Sequence, residues 1–164
     1  MRAIDEIPQG YKRAKILLAT ILISGGADIL LAFANAWFRK GVSPERVLRF
    51  IASGYYGMEA AFSGGPRMIL LGLFFHFSIA GFWVYLYFRL HPKRKFLNPY
   101  LSGILYGALI WLVMNLVVLP FSNIPATTGN IVEDLIGALI LIIAIGLPVA
   151  LIHHYFLMPN NKQG

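Results

Sequence analysis

Three polar side chains stand in otherwise apolar surroundings and could do chemistry: Asp28, His76 and Asn115. A carboxylate and an imidazole can share or relay a proton, and with a carboxamide beside them they can hold a cation or a small polar ligand. Asp28 is the most conspicuous, because Ile16 to Phe38 contains no Lys, Arg, Glu or His. A charge in the middle of such a run costs about 2.5–3.5 kcal/mol on insertion scales, so it requires a partner or a purpose. Catalysis by His76 as base with Asp28 orienting it is conceivable. No nucleophile is marked, since nothing singles out Ser24 or Ser78, and no catalytic residue is assigned. Zinc takes three or four N, S or O ligands, and one His at this depth is too few. His153 and His154 fall at the far end of their helix, read as interfacial side chains rather than haem ligands. No metal or cofactor is expected.

These residues must be positioned by helices. The chain has 164 residues, 58% of them hydrophobic and 13% charged, with a mean hydropathy of +0.69. Soluble domains carry about twice that share of charge, so the composition is that of an integral membrane protein. There is no cysteine, which removes disulfides and thiolate chemistry. The expected fold is all-α, a single membrane domain over 1–164 with spans at about 16–38, 68–88, 100–120 and 135–157. Each run is long enough to cross a core of about 30 Å. Residues 1–27 imitate a secretory leader, but the apolar run continues past Ala27 to Phe38, which suits a retained helix.

Within the spans, small and polar residues recur at four-residue steps. Thr20, Ser24, Asp28, Ala32 and Ala36 form one such stripe, read as an inward face. Gly72, His76 and Ala80 share a face of the second span, where Trp83, Tyr85 and Tyr87 are read as interfacial aromatics. Gly103, Gly107, Trp111 and Asn115 follow in the third, so Gly72, Gly103 and Gly107 are the candidate close-packing glycines. Between the first two spans, Leu48, Ile51, Tyr55, Met58 and Phe62 recur at helical steps opposite Arg46, Arg49 and Ser53. That pattern predicts an amphipathic helix over about 44–62 on the membrane surface or over the bundle mouth, with Ser43 as cap and Pro44 in its first turn. Gly54 and Gly57 are weak points in it, and the alternative is a re-entrant or irregular segment. Pro120 and Pro148 are read as a helix end and a kink.

The net charge of +7 would suggest nucleic acid in a soluble chain. Here the basic residues flank the spans, so the partner is the lipid bilayer and no nucleic acid is expected. Nine Lys and Arg fall on the side of the two termini and five on the other, which places both termini in the cytoplasm. With that topology Asp28, His76 and Asn115 lie at about 20, 13 and 22 Å from the starts of their spans at the helical rise. All three then fall in the outer half of the core, with Glu133 and Asp134 at the rim above them.

Three functions fit. The first is a site binding or transporting a proton, cation or small polar ligand, formed by Asp28, His76 and Asn115 with Glu133 and Asp134 as a lure. The second treats the same groups as interhelical glue in a structural or accessory subunit that associates with itself or another membrane protein. The third is a small membrane enzyme. Four short helices are few for a lone transporter, which favours a homo-oligomer under the first.

The segments Ser43-Pro44 through Ile51-Ala52-Ser53-Gly54, Gly103-x-x-Tyr106-Gly107 through Met114-Asn115-x-Val117-Val118-Leu119-Pro120, and Gly146-x-Pro148 resemble those of uncharacterised, YagU-like bacterial four-span membrane proteins. The resemblance implies a bacterial cytoplasmic (inner) membrane location and brings no activity or site residue with it.

Overall fold

Apolar runs of this length satisfy their backbone hydrogen bonds internally as helices. The computed structural model describes residues 9–90, 98–125 and 130–157, and every regular element in them is helical. In chain order these are α1 (Gln9–Lys40), α2 (Pro44–Tyr56), α3 (Met58–Ser63), α4 (Arg67–Leu90), α5 (Pro99–Val113), α6 (Ile131–Leu141) and α7 (Leu147–Leu157). A π-helical turn, Met114–Val118, extends α5, and a second, Ile142–Gly146, joins α6 to α7 into one rod. Among the described residues, four helices are long and apolar enough to cross a membrane: Gly10–Lys40, Arg67–Leu90, Pro99–Val118 and Ile131–Leu157. Each extends past at least one bound expected from the sequence, because polar and basic ends such as Lys12 to Lys15 are helical too.

Both π turns have the same local cause. Pro120 and Pro148 stand four residues after Leu116 and Ala144, the middle residues of the two turns. A proline offers no N–H to the carbonyl four residues back and its ring crowds that carbonyl, so the turn widens. The kink expected at Pro148 is therefore a π turn before it.

The stretch expected as one amphipathic helix is two. Gly57, with φ 81°, separates α2 from α3 in a backbone conformation that other residues rarely adopt. Pro44 opens α2 as expected, whereas the Ser43 side chain makes no capping bond. Arg49 donates to the carbonyls of Ala61 and Phe62 at 3.0 and 3.5 Å, folding α3 back against α2. α2 packs over the bundle mouth against α4, where its Leu48 backbone sits directly on Gly72.

Rows of glycine set the other close crossings. A Cβ on Gly103 would lie 2.8 Å from Leu147 Cα, and one on Gly107 would meet Ile142. Both glycines therefore face the fourth span of their own chain. Gly25 does the same for α1 and α4, where a Cβ would come within 3.2 Å of Ala80. At one end of the bundle, Arg39 and Lys40 each reach Glu133 at 2.9 Å and tie the end of α1 to the start of α6.

The buried core lies toward the opposite end: Trp83, Val84, Tyr87, Ile110, Ala144, Ile145, Val149 and Ala150. Two expectations are corrected there. Trp83 and Tyr87 are 5% and 3% exposed, core residues and not an interfacial belt; only Tyr85 is exposed. His153 is buried, its ring 5.5 Å from Tyr87 and 5.2 Å from Phe88. A tyrosine reaches hydrogen-bond partners inside an apolar core, which lets it be buried.

Candidate functional site

The inward stripe of α1 carries the first site residue. Thr20 and Ser24 are fully buried, while Leu18, Leu22 and Leu30 on other faces are exposed. Asp28 follows one turn after Ser24 with its side chain 15% exposed. Across the Gly25–Ala80 crossing, α4 presents His76. Its Nε2 lies 2.8 Å from the Gly25 carbonyl oxygen, and its Nδ1 lies 4.0 Å from Asp28 Oδ2. A carbonyl can only accept, so Nε2 carries the hydrogen and Nδ1 is the atom turned toward the carboxylate.

Asp28 and His76 meet as their depths predicted, but they do not meet alone. They lie on the wall of a cavity of about 440 Å³. α1 and the α6–α7 rod form its back, with Asp28, Leu141 and Ile145. α2 and the segment after α5 roof it, with Tyr55 and Ile124 among the contributors. The sides are α4 and the π turn of α5. Trp83 and Ile145 belong both to this lining and to the buried core.

The space exists because α4 and α5 are held together at one end only. Tyr87 Oη and Ser102 Oγ are 2.8 Å apart, and Tyr106 Oη donates to the Trp83 carbonyl at 2.6 Å. Beyond these bonds the two helices flank the cavity. Ile79 of α4 and Val118 of the α5 π turn, both 37% exposed, form a mouth on this side of the bundle surface, and Phe50 and Tyr55 of α2 are exposed lining residues on the other.

The remaining expected site residues are elsewhere. Asn115 turns back on its own helix, donating to the Trp111 carbonyl at 2.9 Å, and lines no part of the cavity. Glu133 is engaged by Arg39 and Lys40 at the rim, so its carboxylate is spent on joining helices and not free as a lure. Asp134 sits beside it in the first turn of α6, also away from the cavity.

Sequence reasoning missed the aromatic lining: Phe50 and Tyr55 from α2, and Phe75 and Trp83 from α4. It also missed Gly25, whose carbonyl fixes the imidazole. The pair Gly25-Gly26, three residues before the only ionisable group of its span, was the available signal. Chemically, the site offers one carboxylate, one imidazole and several aromatic faces in a mostly apolar space. No family model, curated protein or solved structure matches the chain, so the reading of this site rests on its own geometry.

Proposed function

We propose that the chain crosses a bilayer as a four-helix bundle and binds, in the cavity beside Asp28 and His76, a small and mostly apolar molecule with one polar group. The observation that carries this reading is the separation of the pair. At 4.0 Å the carboxylate and imidazole are too far apart for a direct hydrogen bond, and both lie on a cavity wall. Glue would be closed and dry. A pair left open beside about 440 Å³ of space keeps polar capacity for a guest, in the size range of small-molecule sites. The mouth between α4 and α5 faces the lipid, so a hydrophobic ligand enters sideways from the membrane. The basic residues around the termini favour a cytoplasmic side for both ends, and the four-span resemblance favours a bacterial cytoplasmic membrane.

Thermal unfolding in lipid nanodiscs with a panel of alkyl and aryl amphiphiles tests this. Some of the panel should raise the Tm of the parent, and Asp28→Asn should keep the fold while losing that gain. A panel with no effect, combined with an Asp28→Asn variant that simply melts lower, would leave the pair as packing.

A further inference from the structure

We infer that the occupant of the cavity is a lipophilic organic monocation, taken up in exchange for one proton held on either Asp28 or His76. The inference rests on the cavity being a ligand site and adds the ligand's charge and its coupling to protons.

The tautomer comes first. With Nε2–H committed to the Gly25 carbonyl, Nδ1 and Asp28 Oδ2 face each other at 4.0 Å. A carboxylate walled in by apolar side chains is costly without a compensating charge, and a proton held on either of these facing atoms supplies it. With that one proton the unliganded pair has no net charge, as either imidazolium with carboxylate or imidazole with carboxylic acid. The other walls offer no alternative compensation. Among the described residues, Tyr55 from α2 is the one further titratable side chain on the cavity. The segment from Met114 to Ile124 and the α6–α7 rod contribute Met114, Val118, Leu119, Ser122, Leu141 and Ile145 among others, none of them charged.

Loss of the proton leaves a carboxylate facing an apolar space, and that space selects what can replace it. A hydrated metal ion would exchange its water for one carboxylate, one imidazole and the scattered hydroxyls of Tyr55, Ser78 and Ser122, and no cluster of three His, Asp or Glu stands among the described residues to hold it. An organic cation with delocalised or shielded charge sheds little water, fills apolar volume and gains from the ring faces of Phe50, Tyr55, Phe75 and Trp83. An anion finds no Lys or Arg on the wall among the described residues. The exchange balances: one positive charge enters, one proton leaves to solvent, and no covalent bond changes.

The test is calorimetric titration of the full chain in zwitterionic nanodiscs with tetraphenylphosphonium, and in parallel with the uncharged triphenylphosphine oxide. Running each in two buffers of different ionisation enthalpy counts protons released. The expected result is saturable cation binding with close to one proton released. Affinity should rise by up to about tenfold per pH unit while the pair is protonated, the slope set by reciprocal linkage. Asp28→Asn should weaken the cation at least tenfold and leave the oxide unaffected. If the oxide binds as well as the cation and no proton is released, the cation proposal is overturned while the ligand cavity stands. If neither binds, both are overturned. Should Asp28→Asn fail to fold, the proton count on the unaltered chain decides the matter by itself.

Discussion

Single side chains show what position along a helix reveals and what it does not. Depth follows from counting residues at the helical rise, and this is why the approach of Asp28 to His76 was legible. Direction around the axis is harder. Four-residue steps advance the face by about 40° each, so Asn115 has turned about 120° from Gly103 by the time it is reached. Its amide then finds a nearer acceptor in the Trp111 carbonyl. Gly72 makes the complementary case, being forced by backbone contact instead of chemistry. A methyl group there would run into the Leu48 carbonyl. Gly72→Ala should therefore destabilise by about 1–3 kcal/mol, the usual cost of overpacking, read as a lower Tm or denaturant midpoint in micelles. An unchanged midpoint would mean that α2 does not press on α4 as described.

At the scale of elements, hydrophobic length revealed the four long helices, because nothing else in the chain competes for runs of that length. The breaks between regular segments were less visible. Gly57 looked like a weak point inside one amphipathic helix and is instead the hinge between two. The prolines signalled irregularity but not its form, which is a widened turn four residues earlier in both cases. The Gly103–Gly107 face illustrates a different ambiguity: a small-residue stripe shows that something comes close without showing whose backbone it is. Here the fourth span of the same chain fills it. Gly107→Leu should accordingly lower the yield of folded protein and its Tm, while the oligomeric state of what folds, read by light scattering, stays that of the parent. Dissociation of an oligomer with an unchanged Tm would place that face between chains.

For the whole molecule, the cavity could not be read from the sequence, because it arises from how far apart two helices are held. The tyrosine bonds at one end and α2 at the other set the gap, and each involves contacts between residues distant in the chain. The rim ion pairs contribute differently. Arg39 and Lys40 are substantially exposed, and exposed pairs gain little over water. Glu133→Gln should leave ligand binding unchanged and shift the Tm only slightly, which separates a helix tie from a role in ligand entry. A large loss of binding would restore Glu133 to the site.

A ligand in the cavity would lie beside Trp83. The chain has three tryptophans, and replacing Trp37 and Trp111 with Phe leaves Trp83 as the sole indole reporter. Fluorescence of that variant in nanodiscs, titrated with a bromine-substituted hydrophobic amphiphile, measures occupancy directly. The expected result is saturable quenching that the unbrominated analogue reverses. Quenching that only rises linearly with added amphiphile, or none at all, would contradict it.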